Sequence, residues 1–134
     1  MNQPRLILSL ADHARRYQPG ELLSGQMSVH GAAADEIRAV ELSVLWYTEG
    51  KGDEDMSVHH FERIEPDEEL SIDLRQSRNF SCVLPNSPLS YNGLLVRICW
   101  CVRARVFLWN GRELTLDVPF QLGSTLAPEQ MANA

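Results

Sequence analysis

The run Thr48-Glu49-Gly50-Lys51-Gly52-Asp53-Glu54-Asp55 gathers the densest set of chemically capable groups in this chain. Two glycines free backbone amides beside Lys51, which is the make-up of an anion cradle. Phosphate loops, however, place a wider glycine spacing before a Lys-Ser or Lys-Thr pair and run into a helix, whereas acids follow here. Asp53, Glu54 and Asp55 offer oxygens for calcium, yet an EF-hand alternates its ligands along the loop and three consecutive acids do not. The run therefore reads as a flexible hairpin loop. Glu49, Gly50, Lys51, Gly52 and Asp53 are candidates for contacting a partner, because binding residues favour loops on a rigid scaffold. A ligand- or metal-ion-binding module using loop 50–55 is the alternative function.

The other reactive side chains are scattered. His59 and His60 would point to opposite faces of a strand and make a poor chelate, and His13 and His30 fall in turns. Cys99 and Cys101 share a face, but zinc sites prefer wider spacings and further converging ligands. Cys82 reads as a core residue. Ser81, Ser90 and the cysteines lack an elbow motif or a nearby His–acid pair. These readings predict a protein that is not an enzyme, with no catalytic residue, metal ligand or cofactor.

Arg97, Arg103 and Arg105, with Phe107 and Trp109 beyond them, form the strongest candidate partner-binding surface. Arginine and aromatic residues are enriched at interface cores, and a basic stripe on an acidic chain suits an acidic protein partner or another copy of itself. The same stripe also fits the solvated face of any half-exposed strand. An open sheet edge offers a further route by strand addition.

The element that positions these arginines is unusually legible. Every even position from 94 to 108 is apolar: Leu94, Val96, Ile98, Trp100, Val102, Ala104, Val106 and Leu108. A period of two belongs to a strand with one buried face, so the odd-numbered arginines lie on the other. Leu114, Leu116, Val118, Phe120 and Leu122 then alternate again beyond Asn110-Gly111. A tight loop of Asn110 and Gly111 alone would pair even residues with odd ones and misplace one apolar set. A loop of Trp109, Asn110 and Gly111, with Gly111 in the left-handed position, restores the match. This register sets Val106 opposite Leu114, Ala104 opposite Leu116, Val102 opposite Val118 and Trp100 opposite Phe120.

Elsewhere, residues 5–11 read as a first strand with Leu6, Leu8 and Leu10 on one face and Ile7 on the other. Tyr17, Pro19 and Gly20 make a turn. Leu23, Gly25, Met27 and Val29 line a second strand, Gly25 marking a bulge or a close backbone approach. Residues 37–48 form a third, with Val40, Leu42, Val44 and Trp46 inward and Glu41 and Ser43 toward water; Leu45 and Tyr47 fall on the outer face without explanation. Residues 57–64 form a fourth, near an edge, then an acidic connection opens at Pro66. Phe80, Cys82 and Leu84 alternate in a later strand that ends at Pro85-Asn86-Ser87-Pro88.

The length of 134 residues suits one domain that buries roughly 68% of its unfolded surface. The expected domain spans residues 1–123, with a disordered tail from 124 to 134. Three cysteines, no apolar leader and no apolar span predict a cytoplasmic protein without a transmembrane segment. The net charge of −6 opposes binding to nucleic acid or an anionic membrane. Many short strands without a helical pattern predict an all-β antiparallel sandwich of about seven to eight strands.

Phe80-x-Cys82-x-Leu84-Pro85-x-x-Pro88-x-Ser90-Tyr91-x-Gly93, then Ile98-x-Trp100-x-Val102-Arg103-Ala104 and Pro119-Phe120-x-Leu122-Gly123, resembles the arrestin-like fold. Tyr17-x-Pro19-Gly20-Glu21 before Ser24-Gly25-x-Met27-x-Val29 is similar to that family's Pro-Gly-Glu turn and Gly-x-Val strand. The resemblance implies an immunoglobulin-like β-sandwich and an adaptor or scaffold role without catalysis, as in arrestins, the arrestin-like retromer subunit and bacterial arrestin-like proteins of sporulation control. Arrestins join two such sandwiches around a charged, phosphate-sensing cluster, and this chain has length for one. The resemblance therefore assigns no phosphate-contacting residue here.

Overall fold

The computed structural model describes residues 3–67 and 72–123; the tail expected from 124 onward lies outside these residues. The described residues form strands β1 (Arg5–Leu10), β2 (Arg16–Tyr17), β3 (Leu22–His30), β4 (Ile37–Gly50) and β5 (Met56–Ile64). They continue with β6 (Arg78–Val83), β7 (Tyr91–Asn92), β8 (Val96–Leu108) and β9 (Glu113–Leu122). One sheet runs β1-β3-β6; the larger runs β2-β9-β8-β4-β5, with β7 also paired to β8. All pairings are antiparallel except β2 with β9, which is parallel. The fold is the all-β sandwich expected. The described strands number nine rather than seven to eight because β2 and β7, two residues each, carry no periodic signal.

The β8–β9 hairpin has the register derived from the sequence. Trp100 pairs with Phe120, Val102 with Val118, Ala104 with Leu116 and Val106 with Leu114. Gly111 has φ +91° and its N–H donates to the Leu108 carbonyl at 3.1 Å, closing the three-residue loop. Even-numbered side chains from Trp100 to Leu108 face the core, and Trp100 is 1% exposed. The strand starts later than its apolar pattern, however. Leu94 lies outside it in a turn and is 87% exposed.

β1 and β3 also follow expectation: Leu8, Leu10, Leu23, Met27 and Val29 are buried, and Ile7 is exposed. Gly25 is a close approach and not a bulge. It pairs in register with both Leu10 and Phe80, and a Cβ there would meet the Phe80 ring at 2.7 Å. Tyr17, read as part of a turn, instead enters β2 and is buried against Phe120 with ring centroids 5.6 Å apart. The turn proper is Gln18-Pro19-Gly20-Glu21, closed by the Glu21 N–H on the Gln18 carbonyl, with Gly20 at φ +82°.

Two expectations for β4 and β5 are corrected. Ser43 and Leu45 lie on the outer face of β4, yet both are buried. They sit between β5 and β8 in cross-strand rows, Phe61–Ser43–Arg103 and Val58–Leu45–Cys101: Phe61 and Arg103 overtop Ser43, and Leu45 is flanked by side chains on both neighbouring strands. His59 and His60 do not point to opposite faces. Val44 pairs with His60 and Leu45 with Val58, which leaves His59 as an extra residue in a bulge. Both histidines then turn inward between the outward Val58 and Phe61. The His59 ring stands edge-on to Trp100 at 6.2 Å, and His60 Nε2 lies 3.2 Å from Glu62 Oε2.

Candidate functional site

The outer face of the larger sheet brings the predicted arginines together, but pairs each of them with an acid. Cross-strand register places Arg97 beside Glu49, Arg103 beside Asp117 and Arg105 within reach of Glu113. Arg103 Nε and Asp117 Oδ1 are 2.8 Å apart, with a second contact at 3.1 Å. Arg105 Nε donates to Glu113 Oε1 at 2.8 Å, and Arg97 pairs with Glu49. Arg63 of β5 adds bonds to Glu41 at 2.5 Å and to Glu65 at 2.9 Å. These carboxylates raise the guanidinium pKa values of Arg103, Arg97 and Arg63. The face is accordingly a lattice of ion pairs and not an unbalanced basic stripe.

Phe107 lies under this lattice. The guanidinium carbons of Arg38, Arg63 and Arg105 stand 5.6, 5.5 and 5.3 Å from its ring centroid, within cation–π range. Trp109 is exposed at the hairpin tip, with its N–H on the Glu36 carbonyl.

Toward the other end, the same face becomes apolar. Met56, Val58 and Phe61 of edge strand β5 are 56%, 46% and 53% exposed and lie in register with Tyr47, Leu45 and Ser43. Cys99 and Cys101 continue these rows on β8. Burial pushes the Cys101 thiol up to about 12, and the Cys99 thiol is raised for the same leading reason. Neither has the electropositive, exposed setting of a reactive thiolate. Burial, with Glu62 adding to it, likewise raises Cys82.

Loop 50–55 is tied down by its own residues. The Thr48 N–H donates to the Asp55 carbonyl at 2.9 Å, the Asp55 N–H to Thr48 Oγ1 at 2.9 Å, and the Met56 N–H to Asp55 Oδ1 at 2.9 Å. Glu49 is committed to Arg97, while Asp53 and Glu54 are exposed and have no ion-pair partner among the described residues. The Lys51 N–H donates to the Leu95 carbonyl, so the amide beside the glycines is already occupied. Among the described residues, no three His, Cys, Asp or Glu side chains converge as a metal site.

Ser90 is a structural residue. Its Oγ accepts the Leu122 N–H at 2.8 Å and its own N–H donates to the Leu122 carbonyl, while the indole N–H of Trp100 donates to the Pro88 carbonyl at 2.8 Å. The Pro88-x-Ser90 signature thus fastens the end of β9 and orients the core tryptophan. Sequence reading missed the apolar stretch Met56, Val58, Phe61 because the bulge at His59 breaks its alternation. It also absorbed Leu94 into a strand, although Leu94-Leu95 themselves interrupt the period of two and mark the turn.

No protein-family model matches the sequence, and no curated protein matches it. Among solved structures, the crystal structure of Spo0M, a sporulation control protein from Bacillus subtilis, superposes with a TM-score of 0.62. The match covers 92% of this chain and 51% of that chain at 16% identity. This chain therefore has the fold of about half of Spo0M, in keeping with the arrestin-like resemblance of its motifs. No described helix is long and apolar enough to cross a membrane.

Proposed function

We propose that this protein is a non-enzymatic interaction module of the arrestin-like type, an adaptor or scaffold that binds protein partners through the outer face of its larger sheet. One observation carries the reading. Met56, Val58 and Phe61 hold large apolar surface in water on an edge strand, continuous with Tyr47 and bounded by ion-paired arginines around Phe107. A contiguous apolar patch with a polar rim is the make-up of a protein-binding surface. Because the arginines are paired, the apolar rows supply the affinity and the ion pairs supply registration, which a partner meets by matching both signs. The three free thiols support a cytoplasmic setting. A control role, as in the description of Spo0M, fits a module that acts by binding.

The alternative, ligand or metal-ion binding at loop 50–55, has less support, since Glu49, Asp55 and the Lys51 amide are already engaged. Affinity purification from the native cell with Phe61→Asp as control tests the main reading. Partners captured by wild type and lost with the variant support it; identical captures refute it. A thermal-shift screen with calcium and zinc tests the alternative, because a ligand at a hundred times its dissociation constant stabilises a fold by about 2.7 kcal/mol.

A further inference from the structure

Leu94 and Leu95 form the tip of the turn between β7 and β8 and are 87% and 67% exposed. The tip is held in place. The Gly93 N–H donates to the Val96 carbonyl at 3.0 Å, and the Lys51 N–H donates to the Leu95 carbonyl at 3.0 Å. A side chain on Gly50 would strike that same carbonyl, so its absence lets loop 50–55 lie against the tip. Two adjacent leucines are thereby presented to water on an ordered support. Asp53 and Glu54, on the loop locked to the tip, have exposed carboxylates with no hydrogen-bond or ion-pair partner among the described residues.

The complementary surface lies on the same molecule. Arg15, Arg16, Pro119, Phe120 and Gln121 line a shallow depression of about 380 Å³ where β2 meets β9. Its apolar part comes from Pro119, since Phe120 beneath it is only 5% exposed, and its rim carries two exposed guanidiniums. Arg16 Nε donates to Gln121 Oε1 at 3.1 Å, while the Arg15 side chain makes no bond among the described residues. Pro119 also leaves the open edge of β9 without a donor, which blunts that edge for strand addition and leaves side-chain docking as its mode of contact.

We propose that a second copy of this chain seats its Leu94 and Leu95 tip in this depression, with Asp53 and Glu54 facing Arg15 and Arg16. An acidic, apolar tip and a basic, apolar depression match in both charge and polarity, and charges so placed act within a Debye length of about 8 Å. Trp100 near the start of β8 pairs with Phe120 near the end of β9, so tip and depression lie at one end of the sandwich. Two copies can then exchange tips reciprocally about a two-fold axis, which closes the assembly as a dimer. This surface is separate from the outer face of the larger sheet, and the two readings fail independently.

Sedimentation velocity over a concentration series, on the full chain, tests the proposal. Wild type should show a monomer–dimer equilibrium. Leu94→Ser with Leu95→Ser, Arg15→Glu with Arg16→Glu, and Asp53→Arg with Glu54→Arg should each weaken it about tenfold or more while melting like wild type, since all six side chains are exposed. Combining the two charge-reversed pairs in one chain should restore dimerisation to within about threefold of wild type. A wild-type protein that stays monomeric overturns the proposal, as does a dimer indifferent to the leucine substitutions or a combined variant no better than its parents. Co-sedimentation of monomeric protein with phosphatidylcholine vesicles, lost on replacing the leucines, would assign the tip to a membrane and likewise overturn it. Phe61→Asp, the control for the outer face, should leave the dimer unchanged.

Discussion

The Nε2 of His59 lies 2.8 Å from the carbonyl oxygen of Val83, tying the bulge of edge strand β5 to the end of β6 in the opposite sheet. A carbonyl only accepts, so Nε2 carries the proton in this contact. Because the same ring stands against Trp100, one side chain joins the open side of the sandwich to its core. His59→Phe keeps an aromatic ring but removes the donor. It should cost about 1 kcal/mol, read as a lower denaturation midpoint with unchanged slope. An unaltered midpoint would remove His59 as a link between the sheets.

Trp100 anchors the inner face at 1% exposure, against Phe120 at 5.8 Å. Trp100→Ala should destabilise by about 3–5 kcal/mol, a large part of the 5–15 kcal/mol typical of a domain. Trp100→Phe should cost less, since it fills most of the volume, although like alanine it leaves the Pro88 carbonyl without the indole donor. Chemical denaturation of the two variants checks the order.

Gly111 is exposed and meets no neighbouring atom, yet its φ of +91° excludes most side chains. Gly111→Val should therefore destabilise by more than about 1 kcal/mol although it removes no contact, whereas Gly111→Asn should be milder. Equal melting temperatures for the two variants would contradict the left-handed assignment.

Arg103→Glu places like charges opposite each other, because Asp117 is its cross-strand partner. The change should cost up to about 1 kcal/mol, and Arg103→Asp with Asp117→Arg should recover most of it. A double-mutant cycle on thermal stability measures the coupling. A value of zero would make the ion pair a crowding effect of the sheet and not an attraction.

Cys101 is 2% exposed and its thiol is held up at about 12 against an ordinary value of 9.0. At pH 8 it should resist alkylation in the native protein and react on unfolding, a difference that peptide mass mapping resolves. The unfolded thiol ionises near pH 9 while the folded one keeps its proton to about pH 12. Its contribution is therefore complete below pH 9 and declines as pH climbs through that interval. Cys101→Ala should flatten the alkaline loss of stability; an identical pH profile would count against this account.

The sequence alone determined the β8–β9 register, the inward sets of β1 and β3, and the need for a left-handed Gly111. These follow from side-chain period and loop geometry, which are properties of neighbours along the chain. The Arg103–Asp117 pair was implicit in that register, but the sequence could not show that Arg97 meets an acid 48 residues away, since that pairing depends on β4 lying beside β8. Nor could it place His59 in a bulge, bury Ser43 and Leu45 on an outer face, or seat Tyr17 beside Leu122 in a parallel strand of two residues. Those outcomes rest on contacts between strands distant in sequence, and burial on the outer face depends on which side chains flank a residue across both neighbouring strands. The pairs of Arg103 and Arg105 lie within the hairpin register, whereas the capture of Arg97 by Glu49 and the joining of Arg63 to Glu41 were decisions of the tertiary structure, because only the fold brings β4 between β5 and β8.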